Sequence, residues 1–143
     1  MMVKIKNRHR LKSKEIRQLI EQLKQNFSSE FFKESDSVET GEYENIKLLF
    51  VNDEADFMFQ NEKIIFTIHG IERFKPKNKF VTVDMGAVKF VTNGADVMAP
   101  GIIDADVEIV EGDQVWIRDE KNLKALAVGF ALVNGEEMIE QNK

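Results

Sequence analysis

The chain has 143 residues, 43% hydrophobic and 31% charged, with a net charge of −5; this is the balance of an ordinary soluble protein, in one large domain or two small ones. It contains no cysteine, which excludes disulfides, thiolate zinc sites and cysteine nucleophiles. No apolar run has the length of a membrane span. The basic start Met1–Lys6 has no apolar segment behind it and is not read as a signal peptide, so the expected location is cytoplasmic, with no membrane partner.

The charge is uneven. Residues 1–14 carry Lys4, Lys6, Arg8, Arg10, Lys12 and Lys14 and no acid. Their alternation along residues 3–10 suits an exposed edge strand. Ser13 is the expected N-cap of the first helix, with Glu15 in its first turn near the positive end of the helix dipole. Ile16, Leu19, Ile20, Leu23 and Phe27 follow at helical spacing, so a helix is expected from about Lys14 to Phe27, packed on a sheet. Phe31 and Phe32 continue its apolar face or plug the loop that follows.

Residues 28–62 are acidic, with ten carboxylates against Lys33 and Lys47. Within and beyond them, Ile46–Val51, Asp56–Gln60 and Ile64–Ile68 read as strands. The polar turns Asn52-Asp53-Glu54 and Gln60-Asn61-Glu62 separate them. The spacing implies an antiparallel meander crossed by the helix. A second basic cluster, Arg73, Lys75, Lys77 and Lys79, includes Pro76 and breaks the periodic pattern. It reads as a linker, which places the first domain at residues 1–76 and the second at 77–143. The two basic clusters suggest one basic face on an acidic body; the alternative is solvated charge on exposed strands and loops.

The most specific run is Val83-Asp84-Met85-Gly86-Ala87-Val88-Lys89-Phe90-Val91-Thr92-Asn93-Gly94-Ala95-Asp96-Val97-Met98-Ala99-Pro100-Gly101-Ile102. Two Gly-Ala pairs stand eight residues apart around a short amphipathic segment, and Pro-Gly closes it. Glycine allows sharp turns and close approach, and amides at a helix start offer a seat for phosphate. Asp84 reads as a structural cap. A short helix is expected over about Gly86–Thr92, with Val88, Phe90 and Val91 inward and Lys89 exposed. Strands are expected near Phe80–Asp84, Ala95–Met98, Asp106–Val110, Val115–Arg118 and Ala125–Leu132.

Catalytic chemistry is weakly represented. His9 and His69 have no second histidine or carboxylate at metal-ligand spacing in sequence. Asp104, Asp106 and Glu108 alternate along an expected strand, and a solvated face is preferred over an acid–base or metal set. No Gly-Lys-Ser or Gly-Lys-Thr follows the glycines, so there is no P-loop. Trp116, Phe50, Phe57, Phe59, Phe66 and Phe80 read as core. No catalytic residue, metal site, cofactor or enzymatic activity is expected.

The run Val83–Ile102, together with Glu111-Gly112-Asp113-Gln114-Val115-Trp116-Ile117 and Ala125-Leu126-Ala127-Val128-Gly129, resembles the PUA domain, a small RNA-binding β-barrel. The order of helix, meander and Val-Asp-x-Gly-Ala entry, with the wording Gly86-Ala87-Val88-Lys89-Phe90-Val91, is similar to the malignant T-cell-amplified sequence family of translation factors, in its archaeal form. The resemblance implies an α+β fold: an N-terminal helix on an antiparallel meander, then a PUA-type β-barrel. The final strand usual in PUA domains is missing from the polar stretch Glu136–Lys143.

That resemblance implies an RNA-binding role in translation initiation, reinitiation or recycling, on the small ribosomal subunit and tRNA. A translation-factor partner, density-regulated protein in eukaryotes, would dock through the N-terminal domain. The alternative is an RNA-modification accessory that presents tRNA to a separate enzyme. The expected RNA contacts are Gly86, Ala87, Gly94 and Ala95, where small residues admit the RNA backbone; Lys89, Thr92 and Asn93, which supply a cation and short polar groups; and Lys75, Lys77 and Lys79 in the linker. Single-stranded ends and loops are the RNA features best suited to such a surface.

Overall fold

The computed structural model describes residues 4–92 and 101–141, without the side chains of Phe90, Thr92 and Gln141. The chain divides between Lys75 and Pro76 into two compact units.

The first unit is built on β1 (Lys6–Arg10), α1 (Ser13–Phe27), β2 (Val38–Tyr43), β3 (Ile46–Val51), β4 (Glu54–Gln60), β5 (Lys63–Phe66) and α2 (Ile68–Phe74). The five strands pair in sequence order, all antiparallel, which is the expected meander. α1 buries Ile16, Leu19, Leu23 and Phe27, the stripe legible in the sequence. Its start differs: Lys12, not Ser13, is the cap residue, and the Glu15 carboxylate accepts the Lys12 N–H at 3.0 Å. The acid expected as a dipole partner therefore reaches back and satisfies an amide before the helix.

Phe27, Phe57 and Phe66 form the aromatic centre of this unit, with Phe27 edge-on to Phe66 at 5.2 Å and Phe57 4.6 Å from Phe66. Phe31 and Phe74 close around them. The two polar turns are two-residue hairpin turns: Asn52-Asp53 and Asn61-Glu62 all have positive φ, the backbone twist that tight hairpins favour.

Two elements depart from the sequence reading. β2, Val38–Tyr43, is a strand whose composition (Val-Glu-Thr-Gly-Glu-Tyr) carries little strand signal. The strand expected over Ile64–Ile68 ends at Phe66. Thr67 then caps α2 by accepting the Gly70 N–H at 3.0 Å. Arg73, expected in the linker, lies in α2 and clasps the fully buried Asp56 carboxylate, with distances of 2.7 to 3.0 Å. The hydrogen bonds to Asp56 raise the Arg73 pKa above its ordinary value.

The second unit contains β6 (Phe80–Val83), α3 (Val88–Thr92), β7 (Ile102–Ala105), β8 (Gln114–Asp119), β9 (Ala125–Phe130) and α4 (Gly135–Gln141). Its sheet order is β7-β6-β8-β9, with β6 and β8 parallel and the other pairs antiparallel. Val81, Val83, Val91, Ile102, Ala105, Ile109, Val115, Ala131 and Met138 form one core. Among the described residues this sheet is open, with no pairing between β7 and β9, so they do not by themselves close the expected PUA-type β-barrel. The polar C-terminal stretch is α4, which buries Met138. The strand expected at Asp106–Val110 is instead a turn. The pairing strand is β7, whose Ile102 and Ala105 are buried. The expected strand Ala95–Met98 lies outside the described residues. Among those residues, no helix is long and apolar enough to cross a membrane.

Candidate nucleic-acid interface

Because β6 and β8 run parallel, with Val83 opposite Asp119, their C-terminal ends lie side by side. The loops that leave them, 84–87 and 120–124, are joined directly. The Glu120 N–H donates to the Val83 carbonyl at 3.0 Å, and the Glu120 carboxylate accepts the Met85 N–H at 3.2 Å. Asp84 holds the turn as expected: its carboxylate accepts the Ala87 N–H at 2.9 Å, and its own N–H donates to Gly101 at 2.9 Å. Gly86 is exposed. A side chain there would press on the Asp84 carboxylate, at 3.3 Å from an added Cβ.

These bonds correct one expectation. The Met85 and Ala87 amides face carboxylates of the protein itself, so they are no seat for phosphate. α3 is only five residues long. What this end offers an anion is lysine charge. Lys89 is exposed on α3, whose other side is anchored by buried Val91 and half-buried Val88.

Of the other expected contacts, Ala87 is half-buried in the same turn. Thr92 ends α3, while its side chain and all of Asn93, Gly94 and Ala95 lie outside the described residues. Lys75 and Lys77 are exposed, and Lys75 terminates α2 in a left-handed conformation. Lys79 is placed quite differently. It is buried, with φ 62°, and its ammonium sits 2.6 Å from Asp113. Its backbone N–H donates to Asp106 at 2.7 Å. Burial and the ion pair with Asp113 tie this lysine into the fold of the second unit.

The Asp104, Asp106, Glu108 alternation does not form one strand face, because β7 ends at Ala105. Asp106 instead folds the turn, accepting the Lys79 and Glu108 amides. His69 has a carboxylate neighbour that its sequence position does not reveal: Nε2 lies 2.7 Å from Glu54, which the β4 pairing brings beside α2. His9 is exposed, 3.3 Å from the Thr40 hydroxyl. Among the described residues, no group of three or more His, Cys, Asp or Glu is arranged to hold a metal. Trp116 is core, as expected, and its indole N–H donates to the Asn78 carbonyl at 2.9 Å.

Sequence reasoning misses the 120–124 loop. Asp119 is buried beneath it and accepts the Asn122 and Lys124 amides. Hydrogen bonding to Asn122 is the main cause that lowers the Asp119 pKa, reinforced by Lys124, Lys121 and Leu123. The available signal is the Asp119-Glu120-Lys121-Asn122 run between two strand-like segments. It marks a turn, but it does not say which other loop the turn meets.

Residues 79–143 match the PUA domain family, and residues 7–73 match a domain of unknown function, DUF1947. Uncharacterized protein MJ1432 of Methanocaldococcus jannaschii is 36% identical over 99% of this chain and 88% of its own length. The chain belongs to the PUA-domain family. Its PUA domain follows a DUF1947 domain, a plan shared over nearly the full chain with hypothetical protein PH0734.1 from Pyrococcus horikoshii. That crystal structure superposes with a TM-score of 0.87 at 35% identity, covering 95% of this chain and 88% of that one. The chain is also similar to Translation machinery-associated protein 20 of Saccharomyces cerevisiae (31% identity, 70% of this chain, 59% of that protein). It is similar to Malignant T-cell-amplified sequence 1 of Rattus norvegicus (30% identity, 71% and 58%). The chain thus spans somewhat under two thirds of these two eukaryotic relatives, and the resemblance read from the Gly86–Val91 wording holds at the level of the family.

Proposed function

We propose that this protein is a non-catalytic RNA-binding factor of the translation apparatus, acting with the small ribosomal subunit and tRNA. The observation that carries the reading is the pairing of a PUA domain with a DUF1947 domain along the whole chain, together with its similarity to a relative named for association with the translation machinery. The RNA-facing surface of the PUA domain is the end that bears Gly86, Ala87 and Lys89, with Thr92, Asn93, Gly94 and Ala95 continuing it in sequence. Lys77 is exposed but stands where β6 begins, at the opposite end of the sheet, and Lys75, at the end of α2, belongs to the first unit, so neither is counted in this surface. Lys79 is left out of this surface because its ammonium is already paired. The DUF1947 domain is the part assigned to a protein partner.

Each phosphate met by a lysine releases counterions, so affinity falls steeply with salt. The test is co-sedimentation of the native chain with ribosomal subunits, followed by sequencing of crosslinked RNA. Association with the small subunit at moderate salt, weakened by Lys89→Glu, is the expected result. Crosslinks confined to tRNA and a modifying enzyme, with no subunit association, would replace translation by the accessory role in RNA modification.

A further inference from the structure

We propose that the β8–β9 loop, Glu120–Lys124, is a second wall of the RNA surface, with Lys121 and Lys124 meeting phosphates and Leu123 and Met85 packing against an unstacked base or sugar of a single-stranded segment. The inference deepens the RNA reading above and rests on it.

Three observations carry it. The first is connectivity: Glu120 bonds both Val83 and Met85, so the loop is built onto the turn that presents Gly86 and Lys89. It is also held from beneath by Asp119, which fixes its backbone without using its outward side chains. The second is composition. Lys121 and Lys124 are exposed and make no ion pair among the described residues. Met85 and Leu123 are 49% and 52% exposed on the two joined loops. Cations beside exposed apolar groups suit single-stranded RNA, whose bases are free to leave the stack.

The third observation is polarity along the sheet. The opposite end, where β6 and β8 begin, also exposes apolar residues, Val107, Val110 and Leu132. There, however, they stand among Glu108, Glu111, Glu136 and Glu137, while Lys79 is sequestered by Asp113. That end repels a phosphate chain. At the lysine end, the nearby carboxylates of Asp84, Asp119 and Glu120 are all engaged by backbone amides.

The experiment is a fluorescence-anisotropy titration of the full chain against a uridine-rich single-stranded oligoribonucleotide and a blunt RNA duplex, each at several salt concentrations. The variants are Lys121→Glu with Lys124→Glu, Leu123→Ser, and Lys89→Glu as reference, with thermal melting to confirm that each remains folded. The expected result is at least a tenfold weaker affinity for the double reversal. Its salt slope should be shallower by roughly 0.7 for each single-strand phosphate that the two lysines no longer neutralise. Leu123→Ser should weaken the single strand several-fold at an unchanged slope and leave the duplex alone. If Lys89→Glu weakens binding while both loop variants bind like wild type, the loop is overturned and the RNA reading stands. If wild type binds neither RNA, both are overturned.

Discussion

The two ends of the PUA sheet place their lysines in opposite ways. Where β6 and β8 begin, Lys79 lies inward and its charge is neutralised by Asp113. Where they end, Lys89, Lys121 and Lys124 stand outward, and the carboxylates are occupied by amides. Lys79 and Lys89 are ten residues apart in a basic, glycine-containing stretch, and both read as RNA contacts in the sequence. The difference teaches that a lysine's exposure is decided by the fold and not by the basic run in which it stands.

The largest effect should come from the acidic end. Gly135 starts α4 so close to the β7 exit that an added Cβ would overlap the Asp106 carbonyl oxygen, and Ile109 crowds it further. Backbone cannot yield as a side-chain tip can, so Gly135→Ala should destabilise the second unit by about 3 kcal/mol. The matching change at the other end, Gly86→Ala, meets only one carboxylate oxygen and should cost under about 1 kcal/mol. Comparable destabilisation by the two in chemical denaturation would break the contrast.

Next in size is Lys79→Met, which keeps the buried stem but leaves Asp113 without its cation. Breaking a pair that is only partly shielded should cost about 2 kcal/mol, a drop of roughly 10 °C in melting temperature for a unit of this size. RNA affinity of the folded variant should not move. A Lys79 variant that melts normally but binds RNA poorly would put this lysine back among the contacts.

Lys89→Glu should do the reverse. It should leave melting unchanged and weaken RNA binding by about tenfold, or 1.4 kcal/mol. Isothermal titration at two salt concentrations, beside a melting curve, reads both sides of the comparison.

The smallest effect concerns acid. Asp119 has its folded pKa held below the ordinary 3.8 by the amides of its own loop. Its stabilising contribution is therefore fully present above the unfolded value and is lost as pH falls below about 3.8 and through the lowered folded value. Asp119→Asn should give a slightly less stable protein at neutral pH with a flatter acid limb, visible in circular dichroism melts. An acid limb identical to wild type would show that the 119–124 loop is not held by that carboxylate.

Much of the first unit is legible in the sequence because its signals are local. The stripe Ile16, Leu19, Leu23, Phe27 has helical period, and the Asn-containing turns accept positive φ. β2 and α2 are hidden for physical reasons. β2 has a weak strand composition and is defined by its pairing with β1 and β3. α2 is fixed by the clasp of Arg73 on the buried Asp56 across 17 residues, and its helical pattern is masked by the basic run that follows. In the second unit, the Gly-Ala wording and the Asp84 cap identify the domain and the turn. The seat for phosphate does not follow, because whether an amide is free depends on side chains such as Glu120 that arrive from 35 residues away.

By itself, then, the sequence determined the helix face, the hairpin turns, the absence of thiol chemistry and the PUA family, since each is written in neighbouring residues or in a continuous motif. Only the tertiary structure decided that Lys79 is a buried partner and Lys89 an exposed one, and that the 120–124 loop stands against the Gly86 turn. The parallel pairing of β6 with β8 joins segments that no local pattern connects, and burial sets how strongly each charge acts.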